Sequence, residues 1–225
     1  MMALQRLNIV AQRFYGTTGY YHNPPLISVS LWVRANNYTP PKSALAVSKL
    51  EYVGPVAEGM WGLGIIYDRP MFFIYAPPET DQYPIGKGAR AASNISILTW
   101  HHLLGVYDGT TVFLYWNGSK TTGESVLTPS NLTPLDRAIQ LFGHPWELDR
   151  GGQLAELGIW SVALGQEEAT ALAGGMSPSV IRASKLVVYD PLFKGSSNRY
   201  EGGHATLEEG AIADYEHPRI IGMGA

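Results

Sequence analysis

The sequence predicts an all-β protein: a single antiparallel β-sandwich with one or two short helical turns and a C-terminal extended arm. Three observations carry this. The 225 residues include 25 Gly and 15 Pro but only 16% charged residues, a mix suited to many strands punctuated by turns and unsuited to a helical bundle or to disorder. Ile27, Val29, Leu31 and Val33 alternate with Ser28, Ser30, Trp32 and Arg34, and period two marks a strand with one buried face. Leu103–Tyr107 and Val112–Trp116 flank the link Asp108-Gly109-Thr110-Thr111. Asp-Gly between two β-prone runs is a strong hairpin signal, because Gly accepts the positive φ of a tight turn.

The elements follow from local chemistry. Asn36-Asn37-Tyr38-Thr39-Pro40-Pro41 ends the first clear strand. Ala44–Lys49, Gly62–Tyr67 and Met71–Tyr75 are further strands, the last two joined by Asp68-Arg69-Pro70. Pro77–Arg90 is a long polar loop without evident secondary structure, and such loops are often functional. Ile95–Leu98 leads into the central hairpin, and Asn117-Gly118 turns it again into a third strand. Val126–Pro134 is turn-rich, Ala138–Phe142 is a short strand, and Gln153–Trp160 is strand-like. Gly165–Gly175 is a helical turn or two, with acidic residues first and a Gly pair last. Ser177-Pro178 opens a second short turn through Arg182, with a cap residue before Pro at the first helical position. Leu186–Tyr189 is the last strand before Asp190-Pro191. The domain therefore spans 1–192, its first and last strands (near Ile9 and Val187) adjacent. Residues 193–225, polar and Gly-rich until His217-Pro218-Arg219-Ile220-Ile221, form the extended arm.

Composition excludes some functions. Net charge is −3 with no basic run, so the clustered Lys and Arg of a nucleic-acid footprint are lacking. There is no cysteine, which gives no support to an oxidising compartment. The N-terminus lacks a signal-peptide h-region, and no apolar run approaches the ~20 residues of a membrane helix. The expectation is folding in a cytoplasm, with neither nucleic acid nor membrane as partner.

Several motifs resemble those of laminin-G-like, concanavalin A-type jelly-roll domains. Trp100–Gly118, WHHLLGVYDGTTVFLYWNG, resembles the central signature of that family. Phe14–Tyr21 resembles its opening strand and turn, Ser28–Arg34 its "T-x-S-x-W-V-K/R" strand, Ala46–Lys49 its "I-V-S-K", and Trp61–Ile65 its "G-W-x-L-x-I". Gly152–Trp160, with Ala163-Leu164 and Glu167-Glu168, resembles "G-x-I-D-E-V-R-I-W-N-R-A-L-S-x-E-E". The likeness extends over most of residues 8–192 and implies a concanavalin A/laminin-G-like jelly roll, a fold that hosts lectins, glycosidases, receptors and virus parts. Ala173–Pro178, Val180–Arg182 and Leu186–Leu192, with Glu216–Ile221, resemble small proteins of tailed-bacteriophage structural gene clusters.

The candidates for chemistry are few. A glycosidase needs two carboxylates flanking the scissile bond. The fold's best-known hydrolases place them in E-x-D-x-x-E; the nearest match, Glu147-Leu148-Asp149, is followed by Arg150-Gly151-Gly152 and lacks the final Glu, so it reads as a solvated loop. Calcium needs several converging oxygens. Asp108, Asn117, Glu147 and Asp149 are the candidates, but Asp108 and Asn117 are explained as turn residues, and the family's Asp before Glu is Ala155 here. Adjacent His101 and His102 face opposite sides of a strand and cannot readily chelate one ion; one is expected to pack inward and one to meet solvent. Trp32, Trp61, Trp116, Trp146 and Trp160 could offer sugar-stacking faces, though strand Trp residues in a sandwich belong mostly to the core. No catalytic, cofactor-binding or metal residue is therefore assigned, and no cofactor is expected.

These readings point to a non-enzymatic virion structural protein of a tailed bacteriophage, a capsid decoration or cement subunit, located on the virion. Its partners would be the major capsid protein or other virion subunits and further copies of itself, with a homotrimer expected. The alternative is a carbohydrate-binding, lectin-like adhesion module that meets a cell-surface glycan.

Overall fold

The computed structural model describes residues 2–7, 12–14, 26–35, 44–53, 56–74, 87–121, 139–141, 152–192 and 211–216. The strands are β1 (Met2–Leu7), β2 (Gln12–Phe14), β3 (Ile27–Ala35), β4 (Ala44–Val53), β5 (Val56–Ile66), β6 (Arg69–Ile74), β7 (Lys87–Arg90), β8 (Trp100–Tyr107), β9 (Val112–Trp116), β10 (Ser119–Lys120), β11 (Ile139–Leu141), β12 (Gly152–Trp160), β13 (Leu186–Asp190) and β14 (Ala211–Glu216). One helix, α1 (Gln166–Ala173), and two 3-10 turns, Pro178–Val180 and Ala183–Lys185, complete the described elements. The first sheet runs β10-β9-β8-β3-β12-β1-β14 with β13 also on β12, and the second runs β2-β11-β4-β5-β6-β7. The recorded pairings are antiparallel, and the two sheets enclose one core, giving the expected all-β sandwich.

The alternation seen in the sequence builds that core. Ile27, Val29, Leu31 and Val33 of β3, Leu103 of β8, Leu114 of β9 and Ile159 of β12 meet Val47, Trp61, Leu63, Phe72 and Ile74 of the other sheet. At Gly105, in the middle of β8, a Cβ would run into the Phe72 ring, so glycine lets the sheets approach closely there.

A second apolar cluster lies on the other face of the first sheet. Leu104, Val106, Tyr115 and Trp160 pack under Leu164, Ala169 and Leu172 of the α1 region, with Ile181, Leu186 and Tyr189. Trp160 Nε1 donates to Ile181 O at 2.7 Å. Ser28 Oγ donates to Val162 O at 2.7 Å and accepts from Leu164 N at 2.9 Å. The expected single buried face of β3 is thus corrected: Ser28 and Ser30 are 0% and 1% exposed, because the segment after β12 folds back over them.

Other expectations change too. Pro77–Arg90 was expected to lack secondary structure, yet Lys87–Arg90 forms β7; main-chain pairing to β6 suffices, and a Cβ at Gly88 would meet Phe72 and Phe73. The β5–β6 turn is Tyr67-Asp68, with Arg69 and Pro70 already in β6. The expected arm is in part sheet: β14 pairs with β1 from Met2↔Glu216 to Leu7↔Ala211, so backbone bonds hold a segment whose composition suggested no packing. The expected adjacency of first and last strands gives way to a shared neighbour. Both β1 and β13 pair with β12, β1 at Gln153–Leu154 and β13 at Leu157–Trp160. Val126–Pro134 lies outside the described residues, as do 193–210 and 217–225.

Candidate functional site

Three connections meet at one end of the sandwich. Residues 91–99 cross from the second sheet to the first, held by Ala91 N to Pro70 O (2.8 Å), Ile95 N to Asp68 O (2.9 Å) and Leu98 N to Ala35 O (2.7 Å). The Tyr67-Asp68 turn therefore lies beside this crossing. The β9–β10 turn Asn117-Gly118 stands at the same end, with Asn117 N donating to His102 O at 2.9 Å.

The backbone here is strained in places, and the surface carries exposed apolar side chains among polar ones. Tyr67 (φ 49°), Asp68 (φ 66°), Leu98 (φ 57°) and Asn117 (φ 49°) all adopt left-handed conformations, which cost Tyr67 and Leu98 roughly 1–2 kcal/mol each and which the short polar side chains of Asp68 and Asn117 tolerate. In the two-residue β5–β6 loop positive φ is required at both central positions, where Asn-Gly would be the relaxed choice. Strain of this kind clusters at functional sites. Tyr67 is 40% exposed, Ile97 42% and Leu98 56%, and Trp100 and Trp116 are half-buried. The Leu98 carbonyl accepts from Arg34 Nε at 3.0 Å, and Arg34 Nη1 reaches Gln153 Oε1 at 2.7 Å.

His101 ties two of these connections together. Its Nδ1 accepts from Trp116 Nε1 at 3.1 Å and from Asn117 Nδ2 at 3.2 Å. Its Nε2 lies 2.9 Å from Ser96 Oγ and 3.1 Å from Ser96 O. Burial lowers its pKa, with the Ser96 carbonyl opposing. His102 points to the opposite face, with Nε2 2.8 Å from Ser30 Oγ and an edge-on contact to Trp32. Burial pushes its pKa down to about 3, and its Nδ1 is buried without a hydrogen-bond partner. The two rings do face opposite sides, but neither meets solvent: His101 is 6% and His102 1% exposed. The correction has one cause, since β8 is covered on both faces.

The other sequence candidates are dispersed. Asp108 and Asn117 stand at opposite ends of the β8–β9 hairpin, about 17 Å of strand apart. Asp108 Oδ1 accepts from Thr110 N (2.9 Å), Thr111 N (2.6 Å) and Thr110 Oγ1 (2.8 Å). Burial pushes its carboxyl up, but these donors outweigh that and hold it below its usual range. Asn117 Oδ1 accepts from His102 N at 2.9 Å. Glu147, Asp149 and Trp146 lie outside the described residues. Among the described residues no three His, Asp or Glu side chains gather as metal ligands. Trp61 and Trp160 are wholly buried, as the core assignment requires, whereas Trp32 and Trp116 are half-buried, Trp116 being packed against the core between the sheets. Glu156, buried at a β12 bulge with φ 56°, accepts from Tyr189 OH at 3.0 Å, and Ser177 Oγ bonds that hydroxyl at 3.3 Å. This chain anchors the 3-10 turn to the sheet. Sequence reasoning missed Tyr67 and Leu98: the signal for Tyr67 was a bulky aromatic directly before Asp68 between two β-prone runs, and nothing local marked Leu98 as exposed.

Residues 21–170 match the family model described as the concanavalin A-like lectin/glucanases superfamily. Among solved structures, a candidate carbohydrate-binding protein from Bacteroides ovatus superposes with TM-score 0.63 at 15% identity, over 98% of this chain and 62% of its own. Domain 4 of an extracellular arabinanase from Geobacillus stearothermophilus, solved with arabinotriose, gives TM-score 0.54 at 20% identity, over 76% of both chains. The binding domain of botulinum neurotoxin serotype G gives 0.53 at 13%, over 76% of this chain and 46% of that one. The chain thus spans less than two thirds of the first and third of these structures, and at such identities the likeness is one of fold. Among curated proteins no sequence matches.

Proposed function

The chain belongs to the concanavalin A-like lectin/glucanase superfamily, and we propose that it is a glycan-binding module that performs no hydrolysis. The observation that carries this is the loop end itself: exposed Tyr67 and half-buried Trp116 beside exposed Asn117, on a backbone held in left-handed turns. Aromatic faces cover the apolar face of a sugar ring, and an amide side chain reads its hydroxyls. Rigid turns lower the ordering cost of binding. The carbohydrate-linked Bacteroides protein and the arabinotriose-bound domain support the same direction.

The experiment is a glycan array spanning plant, bacterial-capsular and animal glycans, followed by calorimetry on the strongest hit. Tyr67→Ala is expected to weaken that binding about tenfold, near 1.4 kcal/mol, with no change in melting temperature and no turnover of the glycan. Absence of any binding glycan, or turnover abolished by Glu147→Gln, overturns the proposal. A virion setting, drawn from the motifs over 173–192 and 216–221, would make the glycan a host-surface one; particles purified from infected cells should then contain this protein.

A further inference from the structure

We propose that His101 is a positioning residue of this site, orienting the Trp116 indole and the NH2 of Asn117 only while its imidazole is neutral, so that acid loosens both groups and releases the glycan. The inference rests on the glycan-binding proposal for its binding arm alone.

The hydrogen bonds allow one tautomer. Ser96 O can only accept, so Nε2 carries the proton and Nδ1 is the acceptor. Trp116 Nε1 is a donor only. Asn117 must present its NH2 to the ring, because its Oδ1 is engaged by His102 N. A proton added at Nδ1 would face two donors and no acceptor. Trp116 cannot reverse its polarity, and turning the Asn117 amide would set its NH2 against the His102 N–H. Burial of the ring leaves little water to relieve this. The bonds from the Trp116 indole and the Asn117 amide therefore depend on one lone pair, while the Nε2–H bond to the crossing loop does not.

No neighbouring charge offers an alternative partner among the described residues. The ionisable side chains on the surrounding elements are Arg34, Asp68, Arg69, Arg90, His102, Lys120, Glu167 and Glu168, with the phenols of Tyr67, Tyr107 and Tyr115. Glu168 pairs with Arg182, and the ring's hydrogen-bond partners are Ser96, Trp116 and Asn117. Arg34 is engaged with Leu98 and Gln153, Lys120 lies 3.8 Å over the Phe113 ring, and His102 leaves β8 through the opposite face. Asp68 sits on the β5–β6 turn, and no bond joins it to the ring.

The test is an NMR pH titration of the full chain that follows the Trp116 indole N–H and the His101 ring together, with near-ultraviolet circular dichroism confirming the fold at each pH. The expected result is a Trp116 indole shift with the same midpoint as His101. Binding of the strongest array hit should fall about tenfold from about pH 7 to about pH 4.5 in the wild type, and less than about twofold in His101→Gln, whose amide oxygen can accept but not titrate. A Trp116 indole unmoved while His101 titrates, or the same pH dependence in His101→Gln, overturns the inference. A failed array sinks the binding proposal and leaves the NMR titration to decide this one.

Discussion

Protonating His102 should be a main cause of acid destabilisation in this protein. The ring is 1% exposed, bonded through Nε2 to Ser30 Oγ at 2.8 Å, with Trp32 edge-on at 5.4 Å between centroids. Burial lowers its pKa from 6.5 to about 3. The folded state therefore binds fewer protons than the unfolded chain between those values. Stability is fully present above the unfolded pKa and is lost as pH falls toward the folded one. At about 1.4 kcal/mol per pH unit, the loss reaches about 2–3 kcal/mol between about pH 6 and pH 4, and about 3–4 kcal/mol if carried on to pH 3. Urea unfolding followed by tryptophan fluorescence at several pH values, for wild type and His102→Gln, measures this directly. The substitution will lower stability at every pH, but the slope is what decides. Wild type should lose about 1.4 kcal/mol per pH unit more than the variant across that window. His101, Asp108 and Glu168 have lowered pKa values in both proteins, and their contributions, of the same sign, cancel in the difference. Equal slopes would refute the reasoning.

Trp160→Ala removes a fully buried indole and its bond to Ile181 O; it should cost about 3–5 kcal/mol and lower the melting temperature by roughly 10 °C in differential scanning calorimetry. Gly105→Ala drives a methyl into the Phe72 ring and should cost about 1–3 kcal/mol through overpacking, measured as a lower urea midpoint. Leu98→Gly relieves a left-handed residue at φ 57° and should stay within about 1 kcal/mol of wild type, relief of strain offsetting glycine's chain entropy. Binding of the array hit should nonetheless weaken. Ala3 and Tyr215 are directly opposed in the β1–β14 register, so Ala3→Cys with Tyr215→Cys should form a disulfide within one chain, visible as a faster band in non-reducing electrophoresis.

What the sequence determined by itself was set by short-range chemistry. Alternation over 27–34, the strand-like run 153–160, the Asp108-Gly109 turn and the Gly165–Gly175 helix are each written within about ten residues, and each appears in the structure close to its place in the sequence. Local patterns cannot say what lies on the far side of a strand. Ser28, Ser30 and His102 look like an outward row, and they are buried because residues 162–189 fold back to cover them. The candidate site depended on tertiary structure for the same reason. Tyr67, Leu98, His101 and Asn117 are separated by up to fifty residues of chain, and only the crossing of residues 91–99 between the sheets brings them to one end. The exposure of Tyr67 and Leu98 and the bonds of His101 to Trp116 and Asn117 depend on how separate elements pack together, and a periodicity that records only a residue's own neighbours carries no trace of them.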